Sequence, residues 1–167
     1  MSNMADLAKL LARLIEHKVE FVVVGGYAAL AHGSTYMTFD IDICAPCRMS
    51  DLGNLERLHS ALADLHPCHR MSIVERTFVF PPRNVEETGN IYLRTDLGQL
   101  DVLGTIELGD YSFVREHSVL SQLPFGACHL LDCPTLIRSK QTTGRPKDLL
   151  VAQQLLAILE ATQPPHP

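Results

Sequence analysis

The sequence predicts a single α+β domain, and three observations predict it. Its 167 residues match one compact unit. Short β-branched or alternating runs, which suit strands, take turns along the chain with leucine-rich segments at three-to-four spacing, which suit helices. No internal repeat, low-complexity block or linker divides them. A domain of this size buries about 70% of the surface its unfolded chain exposes, so disulfides and structural metals are not needed to hold it together.

The elements follow in order. Leu7, Leu10, Leu11, Leu14 and Ile15, with Lys9, Arg13 and Glu16 between them, predict an amphipathic helix ending near His17 or Lys18. Residues 19–24 are an almost unbroken apolar run and predict a strand buried on both faces. Gly25 and Gly26 punctuate it, and residues 27–31 predict a short helix. Over 38–44, Phe39, Ile41 and Ile43 alternate with Thr38, Asp40 and Asp42, a period of two that predicts a strand. Ser50 or Asp51 is placed to cap a helix whose inner face is Leu52, Leu55, Leu58 and Leu62. Further short strands are predicted at 77–80, 90–95, 99–103, 119–123 and 128–131. Asp132 or Cys133 before Pro134 reads as a helix start, Gly144 as its end, and Pro146 as the start of a last helix with Leu149, Ala152, Leu155, Leu156 and Leu159 on its apolar face. Residues 163–167 are expected to be a disordered tail, leaving 1–162 as the domain.

Fourteen Lys and Arg against nineteen Asp and Glu give a net charge of −5, which argues against a DNA-coating role. The longest apolar runs, at 21–24 and 149–159, fall short of the ~20 residues that a bilayer requires, so no membrane partner is expected. The N-terminal residues lack the basic region and apolar core of a secretory signal. Five cysteines, an odd number, fit a reducing cytoplasmic home better than a disulfide framework.

Asp40 and Asp42 are two apart on a predicted strand, so both side chains leave the same face. Their attachment points lie roughly 6 to 7 Å apart, a span over which two carboxylates converge on a hard divalent cation. Asp101, between Leu100 and Val102 on a later predicted strand, is placed to complete the set. Like charges on one face are costly unless a cation compensates them, although a solvated acidic strand is the plain alternative. Gly25 and Gly26 end a buried strand before a helix, where the backbone can approach a phosphate; an ordinary tight turn is the alternative.

Taken together, Gly25, Gly26, Ala29, His32, Gly33, Thr38, Asp40, Ile41 and Asp42 resemble the nucleotidyltransferase superfamily of the DNA polymerase β type. Thr95, Gly98, Leu100, Asp101, Val102 and Leu103 resemble that family's strand bearing the third carboxylate. Leu136, Ile137, Lys140, Gly144, Arg145, Lys147 and Asp148 resemble the C-terminal helical segment of small prokaryotic members, the minimal nucleotidyltransferases that include abortive-infection type toxins. The resemblance implies a mixed β-sheet flanked by helices, the minimal nucleotidyltransferase fold. It implies two magnesium ions, with manganese as an alternative, on Asp40 and Asp42, and Asp101 holding one ion and acting as general base. It further implies contact of Gly25, Gly26, Thr38, Lys140 and Lys147 with a nucleoside triphosphate. The acceptor would be a hydroxyl of tRNA, protein or a small molecule, and an antitoxin would be the partner. The sequence departs from the pattern at Tyr36, where small relatives commonly place an arginine four residues before the first aspartate. A catalytically degenerate member that only binds nucleotide or a partner is the alternative.

Arg138, Lys140, Arg145 and Lys147 concentrate positive charge in an acidic chain, which suits a triphosphate or an RNA backbone. Cys44 and Cys47 form a CxxC, with Cys68 and His69, or Cys128, His129 and Cys133, as candidate second halves of a zinc site. No second CxxC accompanies them, so structural thiols are expected, with Cys47 the more exposed. His32 is expected to pack or hydrogen-bond rather than to catalyse.

Overall fold

Leu7, Leu10, Leu11 and Leu14 form one face of a helix, α1 (Met4–Glu16), and all four are fully buried. The structure, a computed structural model, describes residues 4–162, so the tail expected at 163–167 lies outside the described residues. The apolar run that follows is buried, but its ladder is shorter than expected: β1 is Val22–Val24. Glu20 interrupts it, because Asn54 bonds both its N–H (2.8 Å) and its carbonyl (3.0 Å). The glycine pair itself opens α2 (Gly25–Ala31).

β2 (Asp40–Cys44) buries Ile41 and Ile43 completely. The alternation does not reach back to residue 38. Pairing with the neighbouring strand begins at Asp40, so Phe39 is exposed (64%) and Thr38 is buried (6%), the reverse of the expected faces. In α3 (Leu52–Leu62), Leu55, Leu58 and Leu62 are buried and Leu52 is exposed. Asp51 precedes the helix without capping it, since its carboxylate accepts from the Arg48 N–H of the preceding turn.

Between β3 (Cys68–His69) and β4 (Ile91–Thr95) the strand expected at 77–80 is absent. Thr77 makes a single bridge to Cys68, and the Phe78 and Phe80 rings pack on His59 of α3 instead. Their apolar character reflects packing, not a ladder. β5 (Gly98–Leu103) follows, then a small hairpin of β6 (Thr105–Ile106) and β7 (Gly109–Asp110), then α4 (Tyr111–Glu116). The pattern reading missed both the hairpin and α4, although Asp110 caps α4 by accepting from the Phe113 N–H.

β8 (Ser118–Leu123) and β9 (Gly126–Leu131) lead to α5 (Cys133–Thr143), which starts as expected: the Asp132 carboxylate accepts from the Thr135 N–H at 2.8 Å. Gly144, left-handed at φ +69°, ends it. In α6 (Pro146–Thr162) the buried face is Asp148, Val151, Ala152 and Leu155, while Leu149 and Leu156 are exposed. The helix is turned from the expected face because Asp148 meets Lys140 of α5 at 2.5 Å.

Seven strands form one mixed sheet in the order β3-β4-β5-β2-β1-β9-β8. β2 runs parallel to β5 and antiparallel to β1, and β1 runs parallel to β9. The carboxylate strands are therefore interior strands, each held on both edges. No described helix is long and apolar enough to cross a membrane.

Candidate active site

The parallel pairing of β2 with β5 sets Asp42 directly beside Asp101, and Asp40 lies two residues back on the same face. One oxygen from each of the three carboxylates falls within 4.8 Å of the others. Burial of Ile41 and Ile43 on the opposite face fixes this direction, because a one-residue slip would turn the acids into the core. Asp101 is the most enclosed of the three. Asp42 is pushed up to about 7, first by burial and then by the charges of Asp40 and Asp101; the Lys140 charge and a hydrogen bond from the Gly26 amide act the other way.

The glycines are explained by what touches them. A Cβ on Gly25 would stand 2.1 Å from Asp42 Oδ2, and Gly25 is also left-handed at φ +62°. A Cβ on Gly26 would stand 2.6 Å from Thr38 Oγ1. The Thr38 hydroxyl in turn donates to Asp40 Oδ1 at 2.7 Å. The pair thus lets α2 lie against the carboxylates, a role that the phosphate reading of the sequence did not include.

A cavity of about 410 Å³ opens over the acids. Gly25, Asp40, Asp42 and Asp101 line it, and Lys140, Arg145 and Arg70 bring positive charge to its wall. Gly26, Thr38 and Lys147 stand outside that wall; the Lys147 ammonium donates to the Met37 carbonyl at 2.9 Å. Tyr36 packs half-buried against the core and does not reach the cavity. Sequence reasoning missed Arg70. It sits in a loop whose position depends on β3 pairing with β4, and nothing in its neighbours marks it.

The donor set is oxygen only, close-set and mutually repulsive, which suits a hard divalent ion such as magnesium or manganese. The raised Asp42 gives this a measurable consequence. Folded, Asp42 keeps its proton up to about 7; unfolded, it releases it near 3.8. Its contribution to stability is therefore fully present below the unfolded value and is lost as pH rises through the folded one. In scanning calorimetry the chelator-treated protein should melt at progressively lower temperature from about pH 4 to about pH 7 and level off above, and added magnesium should restore the midpoint at and above neutral pH.

The cysteines do not share this chemistry. Cys47 is buried, not exposed as expected, because its thiol donates to the Gly89 carbonyl. Burial pushes Cys44 up to about 12 and Cys47 up to about 11, so both are unreactive thiols. Among the described residues neither joins a group able to hold a metal ion. His32 bonds the Leu131 carbonyl at 2.7 Å, a packing role.

No family model matches the chain, and no curated protein matches it. Among solved structures, a candidate nucleotidyltransferase from Thermotoga maritima is similar, with a TM-score of 0.57 and 16% sequence identity, over 94% of this chain and 96% of the other. At that identity the likeness establishes the fold: the mixed sheet flanked by helices is a nucleotidyltransferase-like fold over nearly the whole described chain.

Proposed function

We propose that the protein is a divalent-metal-dependent nucleotidyltransferase that moves a nucleoside monophosphate from a nucleoside triphosphate to a hydroxyl acceptor. One observation carries the reading: three converging carboxylates line a cavity whose wall also brings Lys140 and Arg145, beside Glu107 and Asp148. In the reaction a bond forms between the acceptor oxygen and the α-phosphorus, the bond from that phosphorus to the β-phosphate oxygen breaks, and pyrophosphate leaves. Asp40 and Asp42 are the proposed holders of two magnesium ions, with Asp101 joining one of them and taking the acceptor's proton. Bound there, the metal lowers the proton affinity of the acceptor and neutralises charge on the leaving oxygens. Lys140 and Arg145 face the cavity and supply phosphate donors, while Gly25 leaves room for the triphosphate beside Asp42. We assign Lys147 and Thr38 supporting roles, Thr38 through its bond to Asp40. The acceptors suggested by the resemblance are tRNA, a protein side chain or a small molecule, and its biological setting is a toxin restrained by an antitoxin.

The alternative, a member of the fold that binds without catalysis, is favoured by Tyr36 standing clear of the cavity. Calorimetric titration with a non-hydrolysable ATP analogue separates the two. The enzyme reading expects binding that needs magnesium and weakens at least tenfold in Asp40→Asn. Binding that ignores both magnesium and that substitution contradicts it.

A further inference from the structure

The three acids are not equivalent in their company. Asp40 accepts from the Thr38 hydroxyl and Asp42 from the Gly26 amide, both neutral donors, and neither is ion-paired with a side chain among the described residues. Asp101 is gripped by Arg70. The guanidinium Nε and Nη2 donate to Oδ1 at 3.1 and 2.6 Å, and Nη2 also donates to Oδ2. Both oxygens of the carboxylate are therefore engaged.

Two further contacts, and the charges of the other two acids, keep Arg70 in that position. Its guanidinium carbon stands 5.3 Å from the centroid of the Tyr92 ring. Tyr92 is itself registered directly opposite Asp101 on β4, so the ring lies beside the carboxylate. The Arg70 main-chain N–H donates to the Tyr92 carbonyl at 2.9 Å. After Asp101, the charges of Asp40 and Asp42 also favour the charged guanidinium. A forked guanidinium stacked on an aromatic face loses little further freedom when it binds a carboxylate, which makes it a strong competitor for those oxygens.

We propose that Arg70 is a positioning residue that holds the place of a second cation beside Asp101, so that the free protein takes up one divalent ion, at Asp40 and Asp42, until Arg70 lets go. This rests on the metal reading above.

The test counts manganese bound per chain, in the absence of nucleotide, by the loss of the free-ion electron paramagnetic resonance signal. Wild type, Arg70→Ala and Arg70→Gln are compared, with circular dichroism to confirm folding; glutamine keeps most of the packing if alanine leaves Asp101 too poorly satisfied to fold. The expected result is one ion in wild type and two in the folded variants. Two ions in wild type, or one in the variants as in wild type, overturns the proposal and leaves the metal reading standing. No ion in any of the three proteins overturns the metal reading, and this inference with it.

Discussion

Asp42→Asn should abolish nucleotidyl transfer while making the metal-free protein more stable above neutral pH. The two effects have one cause. Asp42 is raised to about 7 because burial and two neighbouring carboxylates oppose its charge, so at pH 8 the folded protein carries that charge at a cost that the unfolded chain does not bear. An asparagine of nearly the same shape removes the cost and can still accept from the Gly26 amide. It also removes an oxygen from the proposed metal site. The chelator-treated variant should therefore melt several degrees above wild type at about pH 8, as roughly 2–4 °C per kcal/mol implies for this size. It should lose the decline in melting temperature with pH, and its transfer rate should fall by at least a hundredfold. Equal or lower stability would mean that Asp42 is not held charged against its surroundings, and retained transfer would remove it from the metal site.

Gly25→Ala should damage the site without removing a charged group. The added methyl would meet Asp42 Oδ2 at 2.1 Å and Asp42 Cγ at 2.8 Å, far inside contact distance. The left-handed backbone at φ +62° adds roughly 1–2 kcal/mol for a residue bearing a Cβ. Asp42 and α2 cannot both stay in place, so the melting temperature should drop by several degrees and manganese affinity should fall at least tenfold. Gly26→Ala meets Thr38, not Asp42, and should cost less metal affinity. If Gly25→Ala binds manganese like wild type, the close approach of α2 to the carboxylate does not matter to the site.

Much of the site was legible because it depends on local periodicity. The alternation through Ile41 and Ile43 fixes which face Asp40 and Asp42 share, and the same logic places Asp101 between Leu100 and Val102. The start of α5 was legible too, since a capping aspartate ahead of a proline is a local signal. What was not legible depends on contacts between distant segments. Arg70 reaches Asp101 across 31 positions, through a pairing of β3 with β4 that a two-residue strand cannot announce. Cys47 looked exposed because a CxxC in a loop commonly is; the Gly89 carbonyl, 42 positions on, buries it. The apolar face of α6 was misjudged because Asp148 must turn toward Lys140, and a buried ion pair outranks two leucines that solvent can tolerate. Gly25 was singled out for phosphate access, which is untested, while the approach of Asp42 that the structure shows was not in view.

The central claim is that these carboxylates transfer a nucleoside monophosphate, and label transfer tests it most directly. Purified protein is incubated with each of four α-labelled ribonucleoside triphosphates, magnesium or manganese, and a cell extract supplying RNA, protein and small-molecule hydroxyls. The account predicts covalent label on a macromolecule or small molecule with at least one triphosphate, abolished by chelator and by Asp42→Asn. Absence of transfer with all four, from folded protein shown to bind the metal, would contradict it.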